Sequence, residues 1–136
     1  MEIFLKSSHK HYGSLLLALI LAVIVVTLIK GPKPAFQRIV AVLVDINLVV
    51  GLLVAWSSYK SFSLLHPILA LGAVGLLHAS AKSDNAKKVI ICFSIALILL
   101  ITAWAVHAQW GPDFLKDEFW KVNFPGQSAP VTSVAQ

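Results

Sequence analysis

The stretch Leu15-Leu16-Leu17-Ala18-Leu19-Ile20-Leu21-Ala22-Val23-Ile24-Val25-Val26 decides how this chain folds. With its flanks it makes an apolar run over 12–29, broken only by Gly13, Ser14 and Thr27. A helix crossing the hydrocarbon layer of roughly 30 Å needs about 20 mostly apolar residues, with a range of about 17–25. Three further windows of that kind follow, at 35–56, 62–80 and 89–107. Their apolar residues are continuous instead of alternating, which argues against the ten-residue segments of a membrane barrel. Backbone polar groups in lipid must find partners within their own segment, so the windows are expected to be helices.

Composition agrees. Of 136 residues, 58% are hydrophobic and 12% charged, against about 25% charged in an average soluble domain. That excludes a soluble enzyme, a disordered regulator and a disulfide-stapled secreted domain. The single cysteine, Cys92, falls inside the fourth window and reads as a small apolar residue. The expected fold is an all-α integral membrane four-helix up-down-up-down bundle over 1–110. A short interfacial helix and an extended tail are expected over 111–136.

Short connections support that course. Gly31-Pro32-Lys33-Pro34 ends one helix and starts the next, because proline is tolerated in a first helical turn. Ser57-Ser58-Tyr59-Lys60-Ser61 makes the second link, and 81–88, with Asp84 and Asn85 as turn formers, the third. Links this short make successive helices antiparallel. The first run ends Thr27-Leu28-Ile29-Lys30 without a small-x-small cleavage pattern, so it is expected to stay as a helix and not leave as a signal peptide.

Loops one and three carry Lys30, Lys33, Arg38, Lys82, Lys87 and Lys88. The other side carries Lys6, Lys10, Lys60, Lys116 and Lys121. The positive-inside rule then puts both termini outside a bacterial inner (cytoplasmic) membrane. The net charge of +5 is accounted for by that rule and by headgroups, with no call on nucleic acid.

Small residues mark close-packing faces: Gly51 and Ala55 beside Asn47 in the second span, and Gly72, Gly75 and Ala79 in the third. Membrane helices associate through such faces, within a bundle or against another subunit. Asp45 is the one carboxylate well inside a span. An ionisable group there is costly and reads as functional by default. The competing reading, which a lone carboxylate favours, is a protonated or hydrogen-bonded aspartate locking the helices together.

Histidines are the remaining chemistry. His9, His11, His66 and His107 fall toward the side of the termini, His78 toward the other. His66 and His78 are twelve residues apart, about 18 Å along a helix but about 120° apart around it. The chain can therefore hold one haem at most by itself, with His66 and either His11 or His107 as axial ligands. The blander reading, natural for His9, His11 and His107 near span ends, is capping and headgroup contact. A chlorophyll-type pigment on one imidazole is the weaker cofactor alternative. No Gly-rich phosphate loop, Cys-x-x-Cys or His-Glu-x-x-His occurs, so neither a catalytic residue nor a dedicated metal centre is expected.

After Gly111-Pro112-Asp113, residues Phe114, Leu115, Phe119 and Trp120 suit a short helix lying on the bilayer surface. The stretch 125–136 has the composition of a coil.

Three segments together are similar to a family of small bacterial four-helix membrane proteins labelled cytochrome b-like. They are His11-Tyr12-Gly13; Asp45-Ile46-Asn47-Leu48-Val49-Val50-Gly51-Leu52; and His66-Pro67-Ile68-Leu69 through Ala73 to Leu77-His78. The resemblance covers 9–104. It implies His11, His66 and His78 as haem contacts, and Asp45 stands where some relatives carry His.

The first functional reading is a non-catalytic, structural accessory subunit of a larger energy-transducing complex, respiratory or photosynthetic. Its partners would be the bilayer and other membrane subunits, met through helix faces and the tail. The alternative is a haem b cytochrome exchanging electrons with a quinone. A small proton-coupled transporter centred on Asp45 comes third.

Overall fold

A computed structural model of the protein describes residues 2–57, 62–107 and 121–122. Four helices account for nearly all of it: α1 (Glu2–Lys30), α2 (Pro34–Ser57), α3 (Leu65–Ser80) and α4 (Ala86–His107). Each packs against its neighbours in sequence, and α1 also packs against α4.

Three helices contain apolar stretches long enough to cross a membrane: Ser7–Lys30, Pro34–Trp56 and Ala86–Val106. The third expected span is corrected. Helix α3 has only 16 residues, about 24 Å at 1.5 Å per residue. Phe62 and Ser63, expected at its start, form a short strand, β1, instead. It pairs antiparallel with β2 (Lys121–Val122), Phe62 opposite Val122 and Ser63 opposite Lys121. A window of apolar residues cannot tell a first helical turn from a two-residue strand whose partner is remote in sequence. The expected interfacial helix and the coil after it lie outside the described residues.

Local chemistry sets the helix ends. Gly31 takes φ +79 after α1, and its N–H donates to the Thr27 carbonyl at 3.1 Å. This is the left-handed cap that a residue without Cβ adopts at little cost. Asn85 starts α4: its Oδ1 accepts from Lys88 N at 3.2 Å, and its carbonyl accepts from Val89 N at 3.0 Å. That satisfies a donor which the helix start would otherwise orphan. Pro67 stands in the first turn of α3, where no intrahelical N–H is lost.

Leu16, Ile20 and Val23 of α1, Val40 and Val44 of α2, Ala73 and Leu77 of α3, and Val89, Phe93 and Ala96 of α4 form the core. Their helical spacing puts each set on one face. Gln37 is fully buried among them. With its amide turned to suit both neighbours, it donates to the Ser80 carbonyl at 3.1 Å and accepts from Lys33 N at 3.0 Å. This ties α2 to the end of α3.

The outer faces are the reverse of a soluble protein's. Leu21, Val25, Leu28, Ile39, Val42, Val49, Ile91 and Ile98 are exposed, and only 17–28% of each apolar window is buried inside the bundle. An apolar coat of that extent suits lipid and would drive association in water. The chain is a helical membrane protein.

Candidate functional site

Two polar clusters lie among the apolar side chains, one near the start of α1 and α3 and one midway along α2.

The first centres on His9 and His66. His9 is inside α1 because that helix begins at Glu2, well before the apolar run. Its Nδ1 donates to Asn47 Oδ1 of α2 at 3.1 Å. Glycines make the approach: a Cβ on Gly51 would fall 2.7 Å from His9 Cε1, and one on Gly13 would stand 3.5 Å from Asn47 Nδ2. Across the bundle, His66 Nδ1 donates to the Ala103 carbonyl of α4 at 2.9 Å. The two imidazoles have centroids 6.1 Å apart and planes at 72°. A groove of about 620 Å³ opens beside His9 between α1 and α2, lined by His9, His11, Tyr12, Leu15, Ile46 and Val50 among others.

The sequence expectation paired His66 with His11 or His107. His66 lies edge-on to His9, and His11 is exposed. Two residues along a helix turn a side chain by about 200°, so a helix that faces His9 inward faces His11 away. The His107 side chain lies outside the described residues. His9 is the functional candidate that sequence reasoning missed, because the expected helix started at 12 and left it in a flank.

Each ring has its Nδ1 committed to a protein oxygen, which fixes its orientation. Such bracing is the usual support of a metal-binding histidine. Two imidazoles facing each other across one metal, at about 2 Å each, would have ring centres about 6 Å apart. Among the described residues no group of three or more His, Cys, Asp or Glu comes together. A pair of imidazoles falls short of a zinc site's ligand set but suits an iron whose other ligands belong to a porphyrin.

The second cluster joins Asp45 of α2 to His78 of α3, with His78 Nε2 donating to Asp45 Oδ2 at 2.8 Å. The rotation of about 120° between His66 and His78 sends them to different seams. Asp45 is thus partnered by His78, and His78 stands apart from the first cluster. Of the small residues, Gly51 packs on His9, a Cβ on Gly72 would stand 3.4 Å from Leu99 Cδ1, and one on Gly75 would meet nothing within 4 Å. Ala55 is half-buried and Ala79 exposed, and Cys92 is a free, half-buried thiol in α4.

Comparison with protein-family models, with curated proteins and with solved structures finds no match for this chain.

Proposed function

We propose that this protein is a small b-type membrane cytochrome, holding one haem between His9 and His66. The observation that carries the reading is the 6.1 Å separation of two imidazoles braced through Nδ1. A haem bound there would supply reversible one-electron chemistry. His9 and His66 would ligate the iron, Asn47 and the Ala103 carbonyl would hold their rings, and Gly51 would keep the space that His9 occupies. The surrounding apolar side chains would limit water at the site, which tunes a bound metal's potential.

The sequence favours an accessory subunit of a respiratory or photosynthetic complex, and the two readings meet. A carrier without a soluble domain works by passing electrons to a neighbour, as a haem-bearing subunit would. We place it in a bacterial inner membrane, running up-down-up-down with both termini outside. Opposed pairs support that course: His9 with Gly51 and Gly13 with Asn47, then His66 with Ala103 and Gly72 with Leu99. Numbers rise on one helix as they fall on the next.

The test is an absorption spectrum of the protein purified after haem-replete expression. A Soret band with reduced-minus-oxidised difference peaks is expected, lost in both His9→Ala and His66→Ala and kept in His11→Ala. A colourless protein overturns the reading.

A further inference from the structure

We infer that the outward side of α2 and α3 is the contact between two copies of this chain, related by a two-fold axis that sets α2 of each copy against α3 of the other. The inference needs no haem at His9 and His66. Its first ground is the Asp45–His78 pair. Asp45 stands eleven residues from either end of the apolar stretch Pro34–Trp56, and the His78 ring reaches it from the last turn of α3. The two side chains bond at 2.8 Å yet stay 37% and 49% exposed. Val42 and Val49, one turn to either side of Asp45, are exposed too. Ionisable groups inside a membrane face protein or a water-filled cavity and not hydrocarbon. A second polypeptide supplies the cover that one copy leaves open.

Shape is the second ground, and it is self-complementary. On α2, the exposed Val42 and Val49 are seven residues apart, with Asp45 between them. On α3, the exposed Gly72 and Ala79 are also seven apart, with Gly75 and His78 between them. Seven residues return to nearly the same face about 10.5 Å along a helix. Gln37 meets Ser80 and Asp45 meets His78, so numbers rise on α2 as they fall on α3. Val42 therefore lies toward the level of Ala79, and Val49 toward that of Gly72. Branched side chains on one helix match gaps on the other, where a Cβ on Gly75 would meet nothing within 4 Å.

A two-fold axis between α2 and α3 brings the valines of each copy to the small residues of the other, and each carboxyl to the other copy's imidazole. In such an isologous contact every match is made twice. A different subunit would need its own valines, gaps, carboxyl and imidazole in this register; a second copy has them. Helix backbones approach closely over glycine and alanine alike, and that packing drives association in lipid. Length is the last ground. With 16 residues, α3 spans about 24 Å against a hydrocarbon layer of roughly 30 Å, and oligomerisation is one way in which a short span is accommodated.

The experiment traps the contact as a disulfide. Two preparations of the full chain with Cys92→Ala, one carrying Val42→Cys and lengthened by a tag, the other carrying Ala79→Cys, are mixed in dilute phosphatidylcholine vesicles and oxidised with copper phenanthroline. A linked dimer of mixed mass is expected. Its yield should be at least tenfold above that obtained when Ile98→Cys, equally open to lipid but on α4, replaces Val42→Cys. Gly75→Leu, which fills the gap, and the double change of Asp45→Leu with His78→Leu should each lower the mixed dimer at least tenfold, with helix content by circular dichroism unchanged. A yield no greater than that of the Ile98→Cys control, or one that neither change lowers, overturns the proposal. Ala79→Cys in native membranes linking to a different subunit and not to its own chain overturns it as well.

Discussion

The imidazole of His9 occupies the place where a side chain on Gly51 would stand, 2.7 Å from a Cβ built there. A glycine midway along a helix costs about 0.5–1 kcal/mol relative to alanine. Here the missing side chain lets a histidine from α1 lie against the α2 backbone and reach Asn47 one turn away.

Gly51→Ala should therefore displace His9. Overpacking of this kind costs about 1–3 kcal/mol. Haem content per protein, read from the Soret band, should fall while helix content by circular dichroism stays. Retained haem in Gly51→Ala would show that His9 is not a ligand.

Gly75→Ala is the contrasting case. Its new methyl meets nothing within 4 Å, so the helix should gain about 0.5–1 kcal/mol from reduced backbone freedom. A small rise in Tm in detergent, with the spectrum unchanged, is the expected outcome.

Asn47→Ala removes the oxygen that His9 Nδ1 donates to at 3.1 Å. Loss of a bracing partner lowers metal affinity by about 10–100-fold. Haem titration into apoprotein should show that loss, with Asn47→Asp restoring most of it through the retained acceptor.

Asn85→Ala tests the fold apart from the sites. It deletes the acceptor for Lys88 N at the start of α4, a capping loss of about 0.5–2 kcal/mol. Thermal unfolding should move down by that amount, and haem binding should persist.

Residues 15–26 are enough by themselves to make this a membrane protein, since an unbroken apolar run has one low-energy surrounding and one backbone form that satisfies itself there. Gly31 was legible as a helix end and Asn85 as a turn former, because caps and turns are contacts between residues a few positions apart. The candidate sites were not legible in that way. His9 meeting His66, His78 meeting Asp45, and Phe62 pairing with Val122 depend on which faces of separate elements come together. Apolar spacing alone leaves the rotation and register of each helix open, and packing of side chains as specific as Gly51 against His9 settles them.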